Sequence, residues 1–213
     1  MIRLVDLGFA LLLAPVWLPL LLIGMGGALL QGLPLFYLAE RLGRDAQVFR
    51  MLKLRTMVLN AERLGPAVSA GDDPRITRIG KVLRRTKLDE MPQFLHVLSG
   101  RMSIVGPRPE APAYLPYFSP EGLRSLQGKP GLTGYGTLYF FSAERTTPTA
   151  DFEERYLREL LPTKLRLDER CWIDLQARPL RTTATLLVLT LAAVLNRRSA
   201  TFSPARLEAR FLR

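Results

Sequence analysis

The chain has 213 residues, is 48% hydrophobic, and sets 30 Lys and Arg against 19 Asp and Glu, a formal charge of +11. The length suits one domain with a core plus a membrane element, and the charge excess points to an anionic partner: nucleic acid, acidic headgroups or phosphorylated substrates. The single cysteine, Cys171, excludes an internal disulfide and reads as a buried structural thiol, and the single histidine, His96, excludes a His-rich metal site.

Leu7–Leu30 carries no charge over 24 residues. As a straight helix it would measure about 36 Å, enough for a bilayer core of about 30 Å. A cleaved signal peptide fits poorly, because Arg3 is the only basic residue before it and Asp6 follows. A spanning anchor and a re-entrant hairpin remain. Pro15 and Pro19 each remove a helical N–H and crowd the carbonyls of Leu11 and Pro15, so two breaks are expected and the hairpin is favoured. Residues 1–33 are therefore expected to form a re-entrant membrane helix and residues 34–213 a membrane-surface domain.

Val48–Met57 alternates near its end, a strand pattern with Leu52 and Leu54 on one face and Lys53 and Arg55 on the other. Glu62–Gly71 reads as a loop or frayed helix. A helix follows, with Asp73 as cap and Pro74 at its first position. Ile76, Ile79, Val82 and Leu83 share one of its faces, with Arg78, Lys81, Arg84 and Arg85 opposite. A second helix is expected over Asp89–Leu98, capped by Asp89 and stopped at Gly100. Ser103–Val105 is a short apolar run and Gly106–Pro109 a stiff turn, followed by loop-rich chain to Gly136.

Asp151–Leu195 reads as largely helical, interrupted at Pro162 and Pro179. Its apolar end, Thr183–Leu195, has 13 residues, too few to span, so it lies in the interface or packs in the core. Arg197 and Arg198 suit lipid phosphates, and Ser203–Pro204 starts a short basic helix. The fold class is α+β, mostly helical, with interfacial amphipathic helices.

Cysteine clusters, HExxH, Walker A and GxSxG patterns are absent. What stands out is a carboxylate pair among cations, RRTKLDEMPQ, with Arg101 and Arg108 downstream. An aspartate can attack phosphorus if it is ionised, which a helix N-terminus and nearby arginines favour. A diphosphate would repel it unless cations neutralise the oxygens. Arginine forks grip phosphate in bidentate fashion, and a Mg²⁺ ion on Asp89 would supply the rest. On spacing alone, Asp89 and Glu90 are equally a capping pair with solvated charges. Arg108 is equally a turn residue paired to an acid, and Lys53 and Arg55 the solvated face of a strand.

Taken in order, the proline-broken apolar start, FRMLKLRTM, DDPRITRIGKVLRRTKLDEMPQFLHVLSGRMSIVGPRPE and KPGLTGYG resemble the bacterial sugar transferase family, the small monotopic phosphoglycosyl transferases. The resemblance implies a protein of the bacterial inner membrane, its catalytic domain resting on the cytoplasmic face. It implies a nucleophilic Asp89 with Glu90 as its partner, and substrate binding by Lys53, Arg55, Arg75, Arg78, Arg84, Arg85 and Arg108. The implied reaction is Mg²⁺-assisted and ping-pong: Asp89 attacks the β-phosphate of a UDP-sugar, UMP leaves, and a polyprenyl phosphate such as undecaprenyl phosphate takes the sugar phosphate. Two departures stand out. Ala14-Pro15 replaces the commoner Ser-Pro at the bend, and Tyr135-Gly136-Thr137 replaces the commoner Trp-Ala-Gln, which leaves the donor sugar open. Membrane lipids are the other implied partner, and oligomeric state, a homodimer included, is open.

A non-catalytic basic scaffold at the membrane surface would also use the charge and the apolar segments, but would need no intact Asp89–Glu90 pair. Nucleic-acid binding has only net charge in its favour, without a fold signature or aromatic-basic interleaving.

Overall fold

The computed structural model describes residues 1–69, 72–143, 151–196 and 203–212. The charge-poor N-terminus forms two helices, α1 (Ile2–Leu12) and α2 (Ala14–Leu29), bent by 65° about Leu13. Pro15 falls in the first turn of α2, where a missing N–H is harmless to α2 but ends α1. Pro19 lies inside α2 without interrupting it, so there is one break and not two. It removes only the bond to the Pro15 carbonyl, and the turns on either side carry the helix through. In place of a hydroxyl, an indole braces the bend: Trp17 Nε1 donates to the Ala10 carbonyl at 2.9 Å, and its ring stacks on Phe94 at 5.0 Å. Neither helix alone is long and apolar enough to cross a membrane, whereas the bent pair together passes by length and composition.

β1 (Phe36–Leu42) and β2 (Val48–Leu54) form an antiparallel hairpin in which Tyr37 faces Lys53 and Phe36 faces Leu54. Arg55 lies just past β2. The expected cap at Asp73 moves to Thr77, whose hydroxyl accepts from Gly80 N at 2.8 Å, and α3 runs Arg78–Thr86. Asp73 is taken by the Arg75 guanidinium at 2.7 Å and has nothing left for a cap. Ile76 precedes the helix and bridges to Met57. Gly80 and Leu83 are buried while Val82 is exposed, so the apolar face is narrower than its spacing suggested.

A 3₁₀ turn, Leu88–Glu90, leads to α4 (Gln93–Ser99), which stops at Gly100 with φ 81°. The helix starts three residues later than expected, with Pro92 rather than Asp89 at its N-cap. β3 (Ser103–Val105) pairs in parallel with β4 (Gly131–Thr133), separated by α5 (Pro120–Ser125). The two strands leave no room for a side chain at Gly131, where a Cβ would stand 2.1 Å from Gly106 N.

α6 (Tyr135–Ala143) follows. α7 (Phe152–Arg155) continues through a π-helical segment, Tyr156–Leu160, into α8 (Leu161–Ala177), so Pro162 sits in a first turn instead of interrupting a helix. α9 (Pro179–Leu195) has 17 residues and buries Thr182, Thr183, Leu186 and Ala193, while Leu180, Val188, Leu191 and Leu195 are exposed. α10 (Pro204–Phe211) packs against the core through Leu207 and through Phe211, which stacks on Tyr135 at 3.9 Å. Arg197 and Arg198 lie outside the described residues.

The core gathers Met102, Ile104, Leu161, Leu165, Leu167, Leu175 and Leu186 with the buried Cys171, whose thiol burial pushes up to about 12. His96 is a packing residue: its Nε2 accepts from Leu52 N at 2.9 Å, and burial lowers its pKa. α1 is part of this core. Arg3 donates to the carbonyls of Val97 and Leu98, and buried Asp6 accepts from Ser103 Oγ at 2.7 Å and Ile104 N at 2.9 Å.

Gly80 lets α3 lie against the end of β2, since a Cβ there would stand 1.9 Å from the Thr56 carbonyl oxygen. Gly80→Ala is expected to destabilise the fold by about 1–3 kcal/mol, seen as a lower thermal midpoint. An unchanged midpoint would mean that α3 is not seated this closely.

Candidate active site

Asp89 and Glu90 occupy the 3₁₀ turn between α3 and α4, on the wall of a cavity of about 800 Å³. Three cations from three parts of the chain converge on one oxygen. Glu90 Oε1 lies 3.7 Å from Lys53 Nζ of β2, 3.8 Å from Lys87 Nζ at the end of α3 and 3.5 Å from Arg108 Nη2 in the Gly106–Pro109 turn. Burial alone would raise the Glu90 pKa, but Lys87, Lys53 and Arg108 outweigh it and hold the carboxyl well below its ordinary value.

Asp89 has the opposite environment. It is 5% exposed and its Oδ1 is buried without a hydrogen-bond partner. Burial, then the Glu90 charge, raise its pKa. Of the two features expected to keep Asp89 ionised, the helix N-terminus is not there, since α4 begins beyond it, and the nearby cations Lys53, Lys87 and Arg84 are left to oppose burial. Asp89 lines the cavity, and a buried carboxylate oxygen without a partner is one that an added cation or an electrophile would satisfy. Among the described residues no group of three or more His, Cys, Asp and Glu could hold a metal.

The remaining cations divide into two groups. Arg84 and Arg85 of α3 line the cavity, Arg84 being steadied by Thr56 Oγ1 and Ser69 Oγ, each at 2.9 Å. Arg55 and Arg75 also border it, but their guanidinium groups are engaged in the scaffold. Arg55 donates to the carbonyls of Gln31, Gly32 and Pro34, tying the end of α2 to β2. Arg75 is buried, paired to Asp73 and donating to the carbonyls of Ala61 and Pro66, which organises the 61–66 loop. Arg78 is exposed on α3 and does not line the cavity. Of these three expected substrate-binding residues, Arg55 and Arg75 thus reach the cavity with their guanidinium groups bound by the protein, and Arg78 stands away from it.

The turn carrying Arg108 is clamped from behind. Asp168 Oδ1 accepts from Arg108 N at 3.3 Å, and Asp168 Oδ2 pairs with Lys164 Nζ at 2.7 Å. The same ammonium meets Glu110 Oε1 at 2.8 Å, an oxygen that also accepts from Tyr156 OH at 2.7 Å. Lys164 and Asp168 are each 1% exposed. Burial alone would lower the Lys164 pKa, but the two carboxylates outweigh it and keep the ammonium charged. On the other side, Phe140 and Phe141 of α6 lie beneath Arg108 and Lys87, 5.8 and 4.6 Å from ring centre to cation. Glu110, Tyr156, Lys164, Asp168 and the two phenylalanines escaped the sequence reading. The one signal available was the charged pair Lys164–Asp168 at helical spacing within an otherwise apolar stripe.

With this geometry in hand, comparison with known proteins places the chain. The bacterial sugar transferase family model matches residues 1–196, and the chain belongs to that family. A Bacillus subtilis protein, provisionally named as an undecaprenyl-phosphate N-acetylgalactosaminyl 1-phosphate transferase, is 40% identical over 120 residues, which is 56% of this chain and 67% of that protein. The UDP-glucose:undecaprenyl-phosphate glucose-1-phosphate transferase of Caulobacter vibrioides is 40% identical over 136 residues, covering 62% of this chain and 51% of the relative. The Escherichia coli protein of the same name is 36% identical over 134 residues, covering 59% of this chain and 29% of the relative.

Because Lys164 sits between two buried carboxylates, Lys164→Met is expected to destabilise the protein by roughly 3–5 kcal/mol. Thermal unfolding in detergent measures it, and a wild-type midpoint would remove Lys164 from the clamp.

Proposed function

We propose that the chain is a phosphoglycosyl transferase that moves a sugar 1-phosphate from a UDP-sugar to polyprenyl phosphate, the first membrane step of a glycan assembly route. The observation that carries this reading is the unpartnered, buried Asp89 Oδ1 beside a Glu90 saturated by three cations, in a chain whose relatives are named for this transfer.

A carboxylate with few hydrogen bonds is the better nucleophile. In the first half-reaction an Asp89 oxygen bonds to the β-phosphorus, the bridging P–O bond breaks, and its electron pair leaves with UMP. In the second, an oxygen of polyprenyl phosphate attacks the same phosphorus, the Asp89–phosphorus bond breaks, and the carboxylate is regenerated. Lys53, Lys87 and Arg108 hold Glu90 anionic, and Arg84, Arg85 and Arg108 offer N–H groups to the phosphate oxygens. Asp89 is the residue to hold Mg²⁺, with Glu90 next to it, and the ion would neutralise diphosphate charge and so permit a carboxylate to approach.

Support for a monotopic arrangement comes from the two ends of the bent helix pair. Arg3 and Asp6 tie the start of α1 to α4 and β3, and Arg55 ties the end of α2 to β2. A pair that leaves and rejoins one domain favours re-entry over crossing. The catalytic domain then rests on the cytoplasmic face of the bacterial inner membrane, where nucleotide sugars are made, with the exposed leucines of α9 facing lipid.

Asp89→Asn is expected to abolish UMP release from every UDP-sugar while holding or raising the thermal midpoint, because it removes a poorly compensated buried charge. Retained turnover in this variant would falsify the assignment. A scaffold without catalysis predicts no UMP from the unaltered chain either.

Lys53 sets the pH dependence. Burial lowers its pKa from 10.5 to about 8, so the ammonium opposite Glu90 is lost as pH rises through that value. Transfer is expected to fall above about pH 8. The stability contribution has the opposite sign: a lowered lysine pKa means the unfolded chain binds more protons, so stability rises from pH 8 towards 10.5. Lys53→Arg, which stays charged, is expected to move the alkaline limb upward; a pH–rate profile identical to wild type would exclude Lys53 as its source.

A further inference from the structure

Lys87 is difficult to explain by folding requirements. It closes α3 with φ 61° and ψ 17°, in the left-handed region. Glycine is the usual occupant of that position, because a Cβ there crowds the following carbonyl. At Lys87 the position carries a long cationic side chain, and that side chain turns inward to line the cavity. Its Nζ stands 4.6 Å from the centre of the Phe141 ring and 3.8 Å from Glu90 Oε1. Phe141 is 7% exposed and fixed in α6, so the ring is a firm backing. No other backbone direction at the end of α3 is needed to start the turn, since a glycine would make it more easily.

We propose that Lys87 is a positioning residue, its ammonium wedged between the Phe141 ring and the Glu90 carboxylate so that Glu90, and with it the adjoining Asp89, is held against the substrate. The proposal rests on the transfer reading above. It accounts for three observations together: a lysine where glycine is favoured, an aromatic ring under its ammonium, and a carboxylate within reach on the far side. The ring face attracts the cation electrostatically, and the partial burial of the lysine side chain, 26% exposed, lessens the competing hydration. Of the other two cations on Glu90, Lys53 comes from the hairpin and Arg108 also rests over a ring of α6, Phe140 at 5.8 Å, so Lys87 is the cation closest to its aromatic backing.

Lys87→Gly separates position from fold. It removes the ammonium while relieving the backbone, so the thermal midpoint is expected to stay within about 3 °C of wild type or to rise. UMP release is expected to lose roughly tenfold or more in kcat, with donor KM moving less than about threefold. Lys87→Arg, which keeps a cation over the ring, is expected to recover most of that rate. Mono-, di- and trifluorophenylalanine at position 141 weaken the ring face at nearly constant shape and are expected to lower log kcat stepwise. If Lys87→Gly melts early, the fluorine series decides. Wild-type kcat in Lys87→Gly, a loss confined to KM, or a flat fluorine series overturns the proposal while leaving the transferase reading intact. Absence of UMP from the unaltered chain with any donor defeats the transferase reading itself, and this proposal with it.

Discussion

Two carboxylates on adjacent residues cannot both be buried and charged without compensation, and the cations at this site are shared unevenly. Lys53, Lys87 and Arg108 all meet Glu90 Oε1, while Asp89 Oδ1 is left with no partner. The result is a pair whose proton affinities are driven apart, Glu90 downward and Asp89 upward. Environments that split two like groups in this way generally mark two different roles. Glu90 becomes a fixed anion whose geometry is set by three ion pairs. Asp89 becomes the under-satisfied group, stabilised only when something enters the cavity. A fold selected for stability alone would distribute the three cations over both carboxylates.

That imbalance is maintained from a distance. The cations belong to β2, the end of α3 and the Gly106–Pro109 turn, and each is backed by a separate device. Lys53 lies in the hairpin opposite Tyr37. Arg108 is held through its own backbone by Asp168, 60 residues further along the chain, and Asp168 is neutralised by a fully buried Lys164 that also takes Glu110. A buried ion triad of this sort adds little net stability, but removing one member leaves charges stranded. Its value here is geometric: both sides of Arg108 are tethered, so the guanidinium has few places to go.

Much of this architecture was legible in the sequence, and the failures share a cause. The strand at Val48–Leu54, the stop at Gly100 and the buried Cys171 follow from local periodicity and local chemistry. What sequence could not show was which guanidinium groups are taken up by backbone carbonyls of the protein itself. Arg55 and Arg75 look like Arg84 in a basic stretch, yet Arg55 finds its carbonyls in a segment 21 to 24 residues earlier. Lys164 and Asp168 have the spacing of any solvated helix pair; their apolar neighbours on that stripe were the one hint of the burial that the packing of α8 produces. The Asp73 cap failed for a related reason: Arg75 competes for the same carboxylate, a contest that propensity does not record.

The apolar start and the site are also mechanically joined. α2 packs against α3 and against the turn that carries Asp89 and Glu90. The contact is tight at Gly24, where a Cβ would stand 2.8 Å from Leu54 and 3.3 Å from Leu88, the residue before Asp89. Leu54 follows Lys53 in β2, so one helix touches the neighbours of both the carboxylate pair and one of its cations. If α2 lies among lipids, as the exposed Leu22 and Ile23 on its surface favour, its depth in the bilayer and the placement of the dyad are a single variable. The helix that exposes those apolar side chains also forms the floor beneath the turn carrying Asp89 and Glu90.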